Sequence, residues 1–140
     1  MKAEASLKRL SPNTLQDILE ATLAMLGIQS LPFSDKPRVV LFLGLLKLLM
    51  AERGGVLTVD VGKLARAAYG FTVPFSAYEK GVIYYYLDRL MENYGVAKIL
   101  RGKRKVRAYI LDARKLKEKP IEELARELIN LMSQGEVVMP

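Results

Sequence analysis

Residues 37–53 constrain the fold more than any other part of the chain. Within them Val39, Val40, Leu41, Phe42, Leu43, Leu45, Leu46, Leu48 and Leu49 fall on nearly every side of a helical wheel. A helix that is apolar all round is stable only when most of its circumference is covered. The apolar run from Val39 to Met50 is twelve residues long and interrupted by Lys47, whereas a bilayer-spanning helix needs about 20. The stretch is therefore expected to be a central core helix, with the rest of the chain wrapped around it. The chain can supply the wrapping: 51% of its 140 residues are apolar and 26% charged, which excludes disordered and low-complexity classes.

The helical punctuation is clear on both sides of this centre. Ser11 and Pro12 have the N-cap and first-position chemistry of a helix start. Leu15, Ile18, Leu19, Leu23 and Leu26 follow at helical spacing, and Gly27 is a stop. Residues 28–36 read as a connector, and Gly54-Gly55 closes the central helix. Val56, Leu57 and Thr58 are β-prone. Asp60 then caps a helix to about Tyr69 that turns Leu64, Ala65 and Ala68 inward, and residues 70–75 form a loop. Ser76 and Glu79 match the reciprocal capping box. The helix they open runs to Asn93 or Tyr94, with Ile83, Leu87, Leu90 and Tyr94 inward and Tyr78, Tyr85, Asp88, Arg89 and Glu92 outward. Of Tyr84, Tyr85 and Tyr86, the last is the expected core ring. A final helix from Pro120 carries Ile121, Leu124, Ala125, Leu128, Leu131 and Met132 on one stripe and stops near Gly135.

After Gly95 the period changes from helical to two. Residues 96–100 and 105–111 read as two strands of a hairpin about the turn Arg101-Gly102-Lys103-Arg104. On the second strand Val106, Ala108 and Ile110 are expected against the helices, and Lys105, Arg107 and Tyr109 outward. The charge is concentrated here. The net charge of the chain is +7. Residues 96–119 hold ten basic and two acidic side chains, a net +8, so the other 116 residues net −1. Counterion release from a polyphosphate rewards such a concentration. Lys98, Arg101, Lys103, Arg104, Lys105 and Arg107 are accordingly the candidate nucleic-acid contacts of the hairpin.

The motifs Leu87-Asp88-Arg89-Leu90, Tyr94-Gly95-Val96, Arg101-Gly102-Lys103-Arg104 and Tyr109-Ile110-Leu111 resemble the recognition-helix and wing pattern of archaeal and bacterial winged helix-turn-helix regulators. The resemblance covers residues 37–112. It implies a mainly α fold with a small β-hairpin: a winged helix-turn-helix core with extra N- and C-terminal amphipathic helices. Residues 1–36 would be an N-terminal helix and connector, 37–112 the winged-helix domain, and 113–140 a basic connector and C-terminal helix, all in one unit. The loop at 70–75 departs from the pattern, being longer than the turn of a tight helix-turn-helix. The resemblance also implies a recognition helix contacting DNA through Ser76, Tyr78, Lys80, Tyr84, Tyr85 and Arg89. That helix has no Asn or Gln before Asn93, so strong base-specific readout is not indicated.

The expected function is double-stranded DNA binding by a transcriptional regulator or chromatin-associated factor. The alternative is a protein-interaction subunit of a transcription, replication or chromosome-segregation complex, favoured by the acidic Asp88 and Glu92 on the same helix. A single-strand or RNA binder would use the same basic hairpin with tyrosine stacking. A homodimer is expected through stripes that so small a domain leaves uncovered, Leu15, Ile18, Leu19 and Leu26 with Leu124, Leu128, Leu131 and Met132. An enzyme is not expected. The chain has no His and no Cys, which removes imidazole bases, thiolate nucleophiles and most zinc sites. Asp88 and Glu92, or Glu122, Glu123 and Glu127, read as solvated helix acids beside Arg89 and Arg126, so neither a metal nor a cofactor is expected. Gly54-Gly55 lacks the Gly-Lys-Ser/Thr of a phosphate loop. The opening residues lack a charged-then-apolar leader, so a cytoplasmic location is expected and no membrane. With three Asn and three Gln, the composition leans towards a thermophile.

Overall fold

Asp35 starts the central helix: its carboxylate accepts from the Arg38 N–H at 3.4 Å, and Pro37 fills the first turn. The computed structural model describes residues 12–102 and 105–133, with side chains described at 17–102 and 108–133. Along the chain these form α1 (Pro12–Met25), α2 (Lys36–Ala51), β1 (Val56–Val59), α3 (Val61–Tyr69), α4 (Ala77–Tyr94), β2 (Gly95–Arg101), β3 (Lys105–Asp112), α5 (Ala113–Leu116) and α6 (Ile121–Ser133). The protein is mainly helical with one small three-stranded antiparallel sheet.

Helix α2 is covered as its composition requires. Every residue from Val39 to Leu46 is buried, and α3, α4, α6 and β1 surround it. The closest approach is at Gly44. A Cβ there would stand 2.5 Å from the Leu64 carbonyl oxygen on α3, so the two helices meet backbone to backbone. Helix α3 is capped by Asp60, which accepts from the Lys63 N–H at 2.7 Å, and is ended by Gly70 at φ +88°. Leu64, Ala65 and Ala68 are buried, as their spacing predicts.

The terminal stripes differ from expectation. Leu19, Leu26, Leu124, Leu128 and Met132 are buried in the same core cluster as α2, and Ile18 and Leu131 are half-buried against it. A single copy buries those five as core residues, and Ile18 and Leu131 stay partly open. The Leu15 side chain and Gly135 lie outside the described residues. The end of α6 is held by donors from elsewhere: the Met132 carbonyl accepts from Arg38 Nη1 at 3.0 Å and from the Tyr86 hydroxyl at 3.2 Å. Those bonds satisfy a carbonyl that a helix C-terminus leaves without an intrahelical partner.

The hairpin is part of a larger sheet than its sequence pattern implies. Strand β3 lies in the middle, with β2 on one side and β1 on the other, in the order β1-β3-β2. Leu57 pairs with Leu111 and Val59 with Tyr109. The expected strand faces are also reversed at the base. Tyr109 and Leu111 are fully buried towards the helices, while Ile110 is half-buried on the opposite face. Two register shifts explain the reversal. Val96 is an extra residue on β2, and Arg107 an extra residue on β3, because Ile99 pairs with Ala108 but Leu100 with Val106. Such bulges break the strict alternation from which strand faces are read. Strand β2 touches the helices mainly through its contact with α4. All seven of its residues are exposed, including Val96 (55%), Ile99 (42%) and Leu100 (56%).

Candidate nucleic-acid interface

Helix α4 is positioned by its capping box. The Ser76 hydroxyl accepts from the Glu79 N–H at 3.1 Å, and the Glu79 carboxylate accepts from the Ser76 N–H at 2.8 Å. That bond, with Lys36 at 3.8 Å, holds the Glu79 carboxyl below its ordinary pKa. Lys36 also donates to the Pro74 carbonyl at 2.7 Å and lies 4.5 Å over the Phe75 ring. The loop and the first turn of α4 are thus fastened to the start of α2, and the one acid of that turn is engaged internally. Ser76, Tyr78 and Lys80 are exposed beside it, Tyr78 at 62%.

The three consecutive tyrosines have separate roles. Tyr86 is buried and bonded to Met132. Tyr84 is half-buried and packs on Tyr109, ring centroids 6.1 Å apart. Tyr85 is half-buried, with its edge against Tyr86. Its hydroxyl accepts from Arg89 Nη2 at 2.8 Å, and the guanidinium lies 5.0 Å over its ring. Tyr84 and Tyr85 are therefore packed within the chain, not presented as open stacking platforms, and Arg89 is bound to Tyr85. Tyr78 and Lys80 are the open side chains of the helix's first turns.

Lys98 and Arg101 of β2 are both exposed. Lys103 and Arg104 lie outside the described residues, as do the side chains of Lys105 and Arg107. Gly102 has φ +65°, a left-handed turn conformation that glycine adopts without steric cost. Lys98 pairs across the sheet with Tyr109 on the helix side, where its ammonium bonds Asp88 of α4 and lies 5.6 Å over the Tyr109 ring. Asp88 therefore faces the hairpin, and it neutralises one of the six candidate cations. Beneath this pair the Tyr109 hydroxyl is buried with no hydrogen-bond partner. Burial, reinforced by the Asp88 carboxylate, drives its pKa far above the ordinary tyrosine value.

The basic segment also divides in space. Strand β3 is eight residues long, about 25 Å at ~3.3 Å per residue, and it separates the hairpin tip from α5. At the α5 end, Lys117 donates to the Glu52 carbonyl, Lys119 bonds Glu127, and Lys115 lies 6.0 Å from the centre of the Tyr94 ring. Glu127 also accepts from the Tyr94 hydroxyl at 2.6 Å. Burial pushes the Glu127 carboxyl up, but these two bonds outweigh it and leave its pKa below the ordinary value. The charges of 114–119 are largely spent on holding α5 and α6 in place. Of the hairpin cations whose side chains are described, Lys98 is bonded to Asp88 and Arg101 is exposed.

Sequence reasoning missed Arg66, which stands across a groove from Lys80. Its signal was the exposed cation of α3, three residues after the half-buried Lys63. Among the described residues no group of three or more acidic side chains is placed to hold a metal, and no helix is long and apolar enough to cross a membrane. No family model, curated protein or solved structure matches the chain.

Proposed function

We propose that the chain is a winged-helix protein that binds double-stranded DNA, with the basic hairpin as wing and α4 as recognition helix, acting as a transcriptional regulator or chromatin-associated factor. The order α2, β1, α3, α4, β2, β3 and the sheet order β1-β3-β2 support the architecture. The observation that carries the function is the hairpin tip. Arg101, Lys103, Arg104, Lys105 and Arg107 fall within seven residues, without an acid, at the far end of a ribbon that adjoins α4. Phosphate contacts of this kind supply affinity and position without reading bases. The open residues in the first turns of α4 include Lys80 and Tyr78, and the one amide of the helix, Asn93, stands in its last turn, so binding of low sequence specificity is expected.

The test is a gel-shift titration of duplex DNA at rising salt. Wild type should show a steep negative slope of log affinity on log salt, roughly 0.9 per phosphate neutralised. Replacing the five tip cations with Gln should weaken binding to most sequences alike and flatten that slope. Equal affinity and slope in the five-site variant would show that the tip is only a solvated surface.

A second reading has its own observation. Strand β2 is an unpaired sheet edge that exposes Val96, Ile99 and Leu100, and such edges are templates for pairing with another chain. That favours a protein-interaction subunit. Recovery of a stoichiometric partner that stays bound at high salt, and is lost in Ile99→Lys, would place this reading first.

A further inference from the structure

A groove of about 540 Å3 opens between the start of α3, the loop before α4 and the first two turns of α4. Arg66 and Lys80 stand along it, with Phe75, Tyr84, Val73 and Asp60 among its lining. The two cations come from different helices. Among the described residues neither makes an ion pair. The acids nearby are already engaged. Asp60 caps α3 through the Lys63 N–H, and Glu79 is turned to the Ser76 N–H and to Lys36. The aromatic walls are fixed: Lys36 covers Phe75, and Tyr84 rests on Tyr109.

The volume lies within the roughly 300–1,000 Å3 of small-molecule sites and is far more than one inorganic anion occupies. Unpaired cations over a partly aromatic lining suit a ligand that is anionic at one end and planar at the other. We propose that this groove binds a nucleotide unit, its phosphate between Arg66 and Lys80 and its base against Phe75 and Val73. The unit is either a free mononucleotide or one nucleotide of a bound strand; the recognition chemistry is the same. The site rests in part on the duplex-binding reading, with which it shares Lys80 of α4, and goes beyond it through Arg66 of α3 and through Val73 and Phe75 of the loop.

The experiment is isothermal titration of the full chain with adenosine 5′-monophosphate, adenosine and inorganic phosphate, alongside duplex and single-stranded oligonucleotide titrations. Arg66 and Lys80 are exposed and unpaired, so Arg66→Gln with Lys80→Gln should melt like wild type. For a free nucleotide, the monophosphate binds at least tenfold more tightly than adenosine or phosphate. The double Gln variant loses that affinity at least tenfold, Arg66→Lys with Lys80→Arg retains most of it, and the five-site hairpin variant keeps it in full. For a strand nucleotide, the monophosphate shows no measurable binding, and Arg66→Gln alone, which leaves every residue of the duplex reading in place, lowers affinity for a single-stranded oligonucleotide and its salt slope. Monophosphate binding without duplex binding would leave this site standing and remove the duplex reading. The inference is overturned if Arg66→Gln changes neither monophosphate nor single-strand binding, or if adenosine binds as tightly as its monophosphate.

Discussion

Replacing Gly44 with Ala should separate two helices. The added methyl would lie 2.5 Å from the Leu64 carbonyl oxygen and 3.0 Å from its carbonyl carbon and Cα, against a normal carbon-to-oxygen contact of roughly 3.3 Å or more. Every clashing atom is backbone, so no side-chain rotation relieves it and α3 must retreat from α2 by about 0.8 Å. Overpacking of this kind costs about 1–3 kcal/mol. The top of that range applies, because the retreat also loosens Leu41, Leu64, Ala65 and Ala68, all buried. Exchanging Gly for Ala in a helix interior recovers about 1 kcal/mol. The net loss is about 2 kcal/mol, a fall in Tm of roughly 6–10 °C for a domain of this size. Gly62→Ala is the control. Its Cβ would meet only the Arg66 and Asp60 side chains, at 3.4 Å, so it should be neutral or stabilise by up to about 1 kcal/mol. Thermal and urea unfolding followed by circular dichroism measure both. If Gly44→Ala melts at or above wild type, the backbone contact between α2 and α3 is not as described.

Tyr109→Phe removes a buried hydroxyl with no partner and should raise urea-unfolding stability by about 1 kcal/mol, whereas Tyr86→Phe, which loses the bond to the Met132 carbonyl, should lower it by a similar amount. The Glu127 pKa is lowered on folding, so its contribution is present above the ordinary Glu value of about 4.3 and is lost as pH falls through the lower folded value. Glu127→Gln should flatten the acid limb of a Tm-against-pH curve below about pH 4.5, and an unchanged limb would remove Glu127 from the account. Asp88→Asn should release Lys98 and steepen the salt slope of duplex binding by roughly 0.9, one phosphate contact; Glu92→Gln, with no such pair among the described residues, should not.

What the sequence disclosed was local. Asp60 and the Ser76–Glu79 box announce their helices because a cap is a contact between residues three apart. The burial of α2 followed from its composition alone. The faces of β3 were misread because residues 108–111 are apolar on both sides, and the bulge at Arg107 leaves no mark in the alternation. Candidate site residues were legible as charges but not as partners. Nothing in the spacing of Asp88 and Lys98 reveals that a sheet turns one onto the other. Nor does the basic run 96–119 show that a strand carries its two halves to opposite ends. The stripes of α1 and α6 were correctly apolar; whether they face α2 or a second copy depends on how the helices close around the core.

Among the described residues the middle strand of the sheet is the last strand to be made, and this sets an order of assembly. Val59 meets a partner fifty positions later, at Tyr109, whereas Arg101 meets Lys105 across a short turn. Chain-closure entropy that grows as (3/2)RT ln n makes the first pairing costlier by roughly 2 kcal/mol. The β2–β3 ribbon should therefore close early and receive β1 afterwards. Destabilising substitutions in β1, such as Val59→Ala, would then quicken unfolding and leave refolding nearly unchanged in stopped-flow chevrons. A matching slowdown in refolding would mean that β1 docks before the barrier. On a ribosome the same order leaves Leu57 and Val59, both buried in the finished fold, without their sheet partner until residue 112 has emerged. The interval is long enough for α2, α3 and α4 to gather first into the surface that the sheet later covers.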